Sequence, residues 1–130
     1  MAHREREFAV VIEPHAPLAE TVAECLRQRG YEVGIAGTHA GGAALAKAHG
    51  RVNFLTAAVP APGESHTGAY LEDARADNPD LAVVIMLSDP GEDVSDAPRH
   101  AVKIVKPFSV LELGAAIVRA LAHVGLLRPT

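Results

Sequence analysis

Two runs of the chain, Phe8-Ala9-Val10-Val11-Ile12 and Leu81-Ala82-Val83-Val84-Ile85-Met86-Leu87, contain no polar residue, no glycine and no proline. A strand with one wetted face alternates apolar and polar side chains. A continuous run rich in β-branched residues instead reads as a strand covered on both faces, which is the condition of a parallel sheet sandwiched between helices. Shorter runs at 52–55 and 101–105, and a weaker one at 31–36, bring the candidate strands to five.

The segments between these runs carry helical periodicity. Over residues 18–29, Leu18, Val22, Cys25 and Leu26 fall at i, i+4, i+7 and i+8, with Pro17 suited to the first turn and Gly30 to the stop. A second helix, 40–49, follows Thr38 as cap and precedes Gly50; Gly41 and Gly42 weaken its start and point to close packing on the sheet. A third helical stretch at 68–77 stops at Asn78-Pro79. The last, 110–123, carries Leu111, Leu113, Ile117, Val118 and Leu121. Between Ser88 and His100 two prolines, a glycine and the lack of an apolar stripe predict a loop with at most one helical turn. Residues 60–67, with Pro62 and Gly63, also read as loop. Strands alternating with helices predict βαβ crossovers and a doubly wound α/β sheet.

A length of 130 residues with 48% hydrophobic content fits one domain, with its core at about 8–123. Sixteen acidic residues against twelve basic ones give a formal charge of -4, which supplies no basic stripe for nucleic acid. Residues 1–7 are charged and lack the apolar stretch of a signal peptide, and the longest apolar run falls far short of the roughly 20 residues of a membrane span. No membrane partner and a cytoplasmic location are expected. Cys25 is the only cysteine, so an internal disulfide or multi-thiolate zinc site cannot form; its place on the apolar helix face reads as a small core residue.

Arg29-Gly30-Tyr31-Glu32-Val33 entering the second strand, Ala44-Leu45 in the second helix, Asn78-Pro79-Asp80 before the fourth strand, Ser88 ending it, and Lys106-Pro107-Phe108 ending the fifth occur in one order. Together, from about Phe8 to Leu121, they resemble the receiver domain of two-component response regulators. The resemblance implies a single flavodoxin-like five-stranded parallel sheet of order 2-1-3-4-5, with a site at the carboxyl ends of the strands near the switch point. It also implies a role in phosphorelay signal transduction. The fourth helix of the family would here be short or missing.

The family's chemistry uses an acidic pair after the first strand to hold Mg2+ and an aspartate at the end of the third strand to take the phosphoryl group. Counting back from Gly30 puts that acidic pair on Glu13 and Pro14, so one carboxylate is replaced by proline. Counting from Pro60 puts Thr56 at the acceptor position, where a neutral hydroxyl forms no acyl phosphate. Ser88 and Lys106 match the remaining pocket positions, and the Lys106-Pro107 bond resembles one that is cis in the family. The family's aromatic switch falls three residues before the lysine, on Lys103. The pocket Glu13, Pro14, Thr56, Ser88 and Lys106 is therefore read as degenerate, with no catalytic residue and no cofactor.

Glu13 reads either as a solvated carboxylate at a strand end or as the ion partner of Lys106, which lacks an aspartate counter-charge at position 56. Thr56 reads as a core-edge residue with a local hydrogen bond. Glu13, His15 and His66 are candidate metal ligands, two imidazoles and a carboxylate being suited to Zn2+, although their spacing fits no short metal motif. The expected function is a pseudo-receiver that binds a histidine kinase, a phosphotransfer protein or a downstream effector, as a monomer or weak homodimer. The first helix, the last helix and the region between strands four and five are the candidate contact surfaces. The alternative is a small-molecule or metal sensor using the altered pocket.

Overall fold

The computed structural model describes residues 7–50, 52–59, 81–88 and 101–124. The expected helix at 68–77 and loops at 60–67 and 89–100 lie outside these residues, as does His66. The described elements are β1 (Phe8–Ile12), α1 (Ala16–Arg27), β2 (Glu32–Ala36), α2 (His39–His49), β3 (Phe54–Val59), β4 (Ala82–Leu87), β5 (Val102–Val105) and α3 (Val110–His123). The strands form one five-stranded sheet of order β2-β1-β3-β4-β5, parallel throughout. This is the flavodoxin-like sheet that the resemblance implied.

Continuous apolar strands did become strands covered on both faces: every residue of β1 and of β4 is buried. Ala9 and Val11 face a core made with α1 and α3, which also takes in Phe54, Val84, Met86 and Ile104. Val10 and Ile12 face the opposite core, shared with Leu55, Ile85 and the α2 residue Leu45. The sheet therefore separates two apolar layers of comparable chemistry.

The helix ends follow from local chemistry. Thr38 caps α2, its hydroxyl accepting from the Gly41 amide at 3.0 Å. Ser109 and Glu112 close a capping box at α3, the Glu112 amide donating to Ser109 Oγ at 3.0 Å and the Ser109 amide to Glu112 Oε1 at 2.8 Å. After α1, Gly30 turns the chain with φ +99°, a conformation costly for any side chain. Gly42 serves a different need. A Cβ there would fall 2.7 Å from Ile12 Cγ1, so only glycine lets α2 approach β1 this closely.

The bounds of the third strand need correction, and the facing of the last helix is settled by packing. The third strand does not run over 52–55: β3 starts at Phe54 and continues to Val59, because the apolar Ala57-Ala58-Val59 keep pairing with Met86 and its neighbours on β4. Along α3, Leu111 and Val118 do not face the core. The buried residues are Leu113, Ala116, Ile117 and Ala120, while Leu111 is 86% exposed.

Candidate functional site

β1 and β3 are neighbours, and the chain leaves them in opposite directions across the sheet, so their carboxyl ends border the switch point at which α/β sheets bind ligands. Glu13 is the first residue beyond β1. Its amide donates to Ala36 O at 2.9 Å, which continues the β1–β2 ladder by one step and fixes the side chain's direction. Because side chains alternate along a strand, Glu13 follows Val11 toward the layer of α1 and α3.

Glu13 is 2% exposed, not the solvated carboxylate of a strand end. Its Oε2 accepts from the His15 amide at 2.9 Å, and its Oε1 lies 2.6 Å from Lys106 Nζ. The latter is an ion contact without the alignment of a hydrogen bond, so Oε1 has no hydrogen-bond partner. Lys106 is positioned by its own amide, which donates to Leu87 O at 2.8 Å and ties the end of β5 to the end of β4. Its side chain is 24% exposed, and the Lys106-Pro107 bond is cis. Ser88, directly after Leu87, is exposed at this same edge.

Pro14 is exposed beside Glu13 and brings no ligand group. Lys103 is exposed on β5, paired in the ladder with Ile85. Among the described residues no three histidine, cysteine or acidic side chains are placed to hold a metal ion.

Thr56 is not at the strand end or the core edge. It sits inside β3 between Val11 and Val84, 0% exposed, and its Oγ1 has no hydrogen-bond partner. The ladder pairs Ile12 with Ala57, so one step further Ala58 stands beside Glu13, with its methyl in the layer of α1 and α3. The residue next to the surviving carboxylate is therefore Ala58. A second signal in the sequence pointed there: the chain offers two prolines, and counting four back from Pro62, which Gly63 follows, reaches Ala58, whereas Pro60 leads to Thr56.

Among the described residues the charges of the site pair with each other. One carboxylate meets one ammonium group, and burial of such a pair costs desolvation that only close contact offsets. Neither a methyl at 58 nor a hydroxyl sealed inside the sheet at 56 can take a phosphoryl group from solvent. Beside the pair, His15, Leu18, Thr21, Lys106 and Phe108 line a cavity of about 330 Å³. It shares Pro17 and Thr21 with a second hollow of about 450 Å³ that runs past Glu24 and Cys25 to Val110, making a trough along α1. Cys25 is partly buried against the core, and burial pushes its thiol pKa up, with Arg29 pulling the other way and Glu24 adding to the rise.

No protein-family model matches the sequence, and the search of curated proteins finds no match. Solved structures do match. The chain is similar to a response regulator receiver protein from Sinorhizobium medicae, with 17% identity and a TM-score of 0.79 over 91% of this chain and 96% of the other. It is similar to a CheY-like receiver domain protein from Methanospirillum hungatei, with 20% identity and a TM-score of 0.70 over 92% and 97%. A third similar structure, from Burkholderia pseudomallei, is a response regulator with a phosphorylated aspartic acid and a calcium ion, at 21% identity and a TM-score of 0.68 over 95% and 76%. At such identities the likeness is one of architecture, and its conclusion is that this chain has the fold of a response regulator receiver domain.

Proposed function

We propose that the chain is a receiver-type signalling domain that works by binding a protein partner and is not phosphorylated on aspartate. The observation that supports this reading most is the Glu13–Lys106 contact at 2.6 Å. Among the described residues at the strand ends it pairs the carboxylate with the cation, beside an alanine where chemistry would need an acid. The partner is a histidine kinase, a phosphotransfer protein or a downstream effector of a two-component pathway. The trough along α1, with an apolar floor of Leu18 and Cys25 and a rim of Glu20 and Glu24, is the surface offered to it. Incubation with a small phosphodonor and Mg2+, followed by intact mass, tests the reading. An unchanged mass is expected; a hydroxylamine-labile adduct of one phosphoryl group sinks it.

The cavity beside Lys106 favours a second reading, a small-molecule sensor. Its lining combines the apolar Leu18 and Phe108 with Lys106 and His15, a set that fits a ligand with an apolar body and an acidic head. A thermal-shift screen with acidic metabolites separates the two, since a ligand of the folded state raises the melting temperature.

A further inference from the structure

Helix α3 is apolar nearly all the way round. Its sequence, VLELGAAIVRALAH, has only Glu112, Arg119 and His123 as charged or titratable residues. The sheet takes one stripe, Leu113, Ala116, Ile117 and Ala120. At 100° per residue the direction opposite that stripe is occupied by Leu111, Ala115, Val118 and Ala122, all exposed, with Leu111 at 86% and Val118 at 40%. A helix that is apolar all round belongs in an interior, yet half of this one faces water.

The outer stripe has a defined spacing. Steps of four, three and four residues are those of the alternating core positions of a heptad seam. The order large-small-large-small reads Leu111, Ala115, Val118, Ala122. Run against a second helix of the same sequence in the opposite direction, each large residue meets a small one: Leu111 opposite Ala122, and Ala115 opposite Val118. The small residues allow the axes to come near the short end of the usual 8–10 Å. Glu112 and Arg119 lie together along one edge of the stripe, both exposed. A two-fold axis between Ala115 and Val118 would bring Glu112 of each copy toward Arg119 of the other, giving two equal ion pairs.

We propose that the outer face of α3 is a self-association surface, on which two copies of this chain pair through antiparallel α3 helices. The occupant is a second copy because apolar bulk and charge are both self-complementary about one axis, as an isologous interface requires. The seam spans about 16 Å at 1.5 Å per residue, so the dimer is expected to exchange rapidly and to show at high protein concentration.

Sedimentation equilibrium as a function of concentration is the first test. The wild type should move toward twice the monomer mass, and Leu111→Glu should stay monomeric with an unchanged thermal melt, because position 111 is outside the core. Arg119→Glu should weaken association at low salt by placing two carboxylates face to face, and added salt should relieve part of the loss. Orientation is read by oxidation on a Cys25→Ala background: a mixture of Ala115→Cys and Val118→Cys chains should cross-link faster than either variant alone. A chain that remains monomeric up to about 1 mM overturns the proposal. So does a dimer that survives Leu111→Glu, or one that cross-links best through Ala115→Cys alone.

Discussion

Glu13 Oε1 and Lys106 Nζ lie 2.6 Å apart across the carboxyl ends of β1 and β5, with two other strands between them. The two ends of this pair differ in their access to water: the carboxylate side chain is 1% exposed and the lysine side chain 24%. That asymmetry predicts unequal mutations. Lys106→Met leaves a buried charge unpaired and should cost about 3 kcal/mol or more. Glu13→Gln leaves a lysine whose flexible stem can carry the ammonium to solvent, and should cost about 1–2 kcal/mol. Denaturant unfolding of both variants checks the order, and equal losses would contradict the asymmetry.

Thr56 carries a hydroxyl that is sealed in the sheet without a partner. Thr56→Val removes that polar group and keeps the shape, so it should stabilise the fold by about 1 kcal/mol, seen as a rise of a few degrees in melting temperature. Phosphodonor chemistry and partner binding should not change, since the side chain never reaches the surface.

Tyr31 is buried between α1 and the sheet, and burial, with Glu7 adding to it, pushes its phenol pKa up to about 12. In the unfolded chain the same group ionises near its ordinary value of 10.0. Between those values the unfolded state has released a proton that the folded state still holds, so stability is complete below pH 10 and falls as pH rises toward 12. Melting temperatures across that window should fall less steeply for Tyr31→Phe than for the wild type.

Gly42→Ala tests the approach of α2 to β1. Alanine is the better helix former by about 1 kcal/mol, but its methyl would press on the buried Ile12 Cγ1 at 2.7 Å. Overpacking of this kind costs about 1–3 kcal/mol. A net destabilisation is expected in chemical denaturation, and its partial relief by Ile12→Val would locate the strain.

How much of this the sequence carried depends on which signals were unique. The runs 8–12 and 81–87 could be read because a stretch with no wetted residue leaves a strand few places to go except the interior of a sheet. The bounds of α3 were legible, but its facing was not: two apolar stripes on opposite sides give one periodicity, and only packing showed that Leu113 and Ile117 go in while Leu111 and Val118 stay out. The Glu13–Lys106 contact could be named as an option from charge balance, although burial of the carboxylate could not. Position 56 failed for a local reason. Two prolines two residues apart gave two registers, and the apolar continuation Ala57-Ala58-Val59, which decides between them, resembles the start of a loop as much as the end of a strand.

The most direct test of a site closed by its own ion pair is an amide NMR titration with Mg2+ and beryllofluoride, an analogue of the phosphoryl group that binds an aspartate carboxylate. No saturable shift at Glu13, Ala58, Ser88 or Lys106 is predicted. Stoichiometric, saturable shifts at those amides would show a working acceptor pocket and contradict the account.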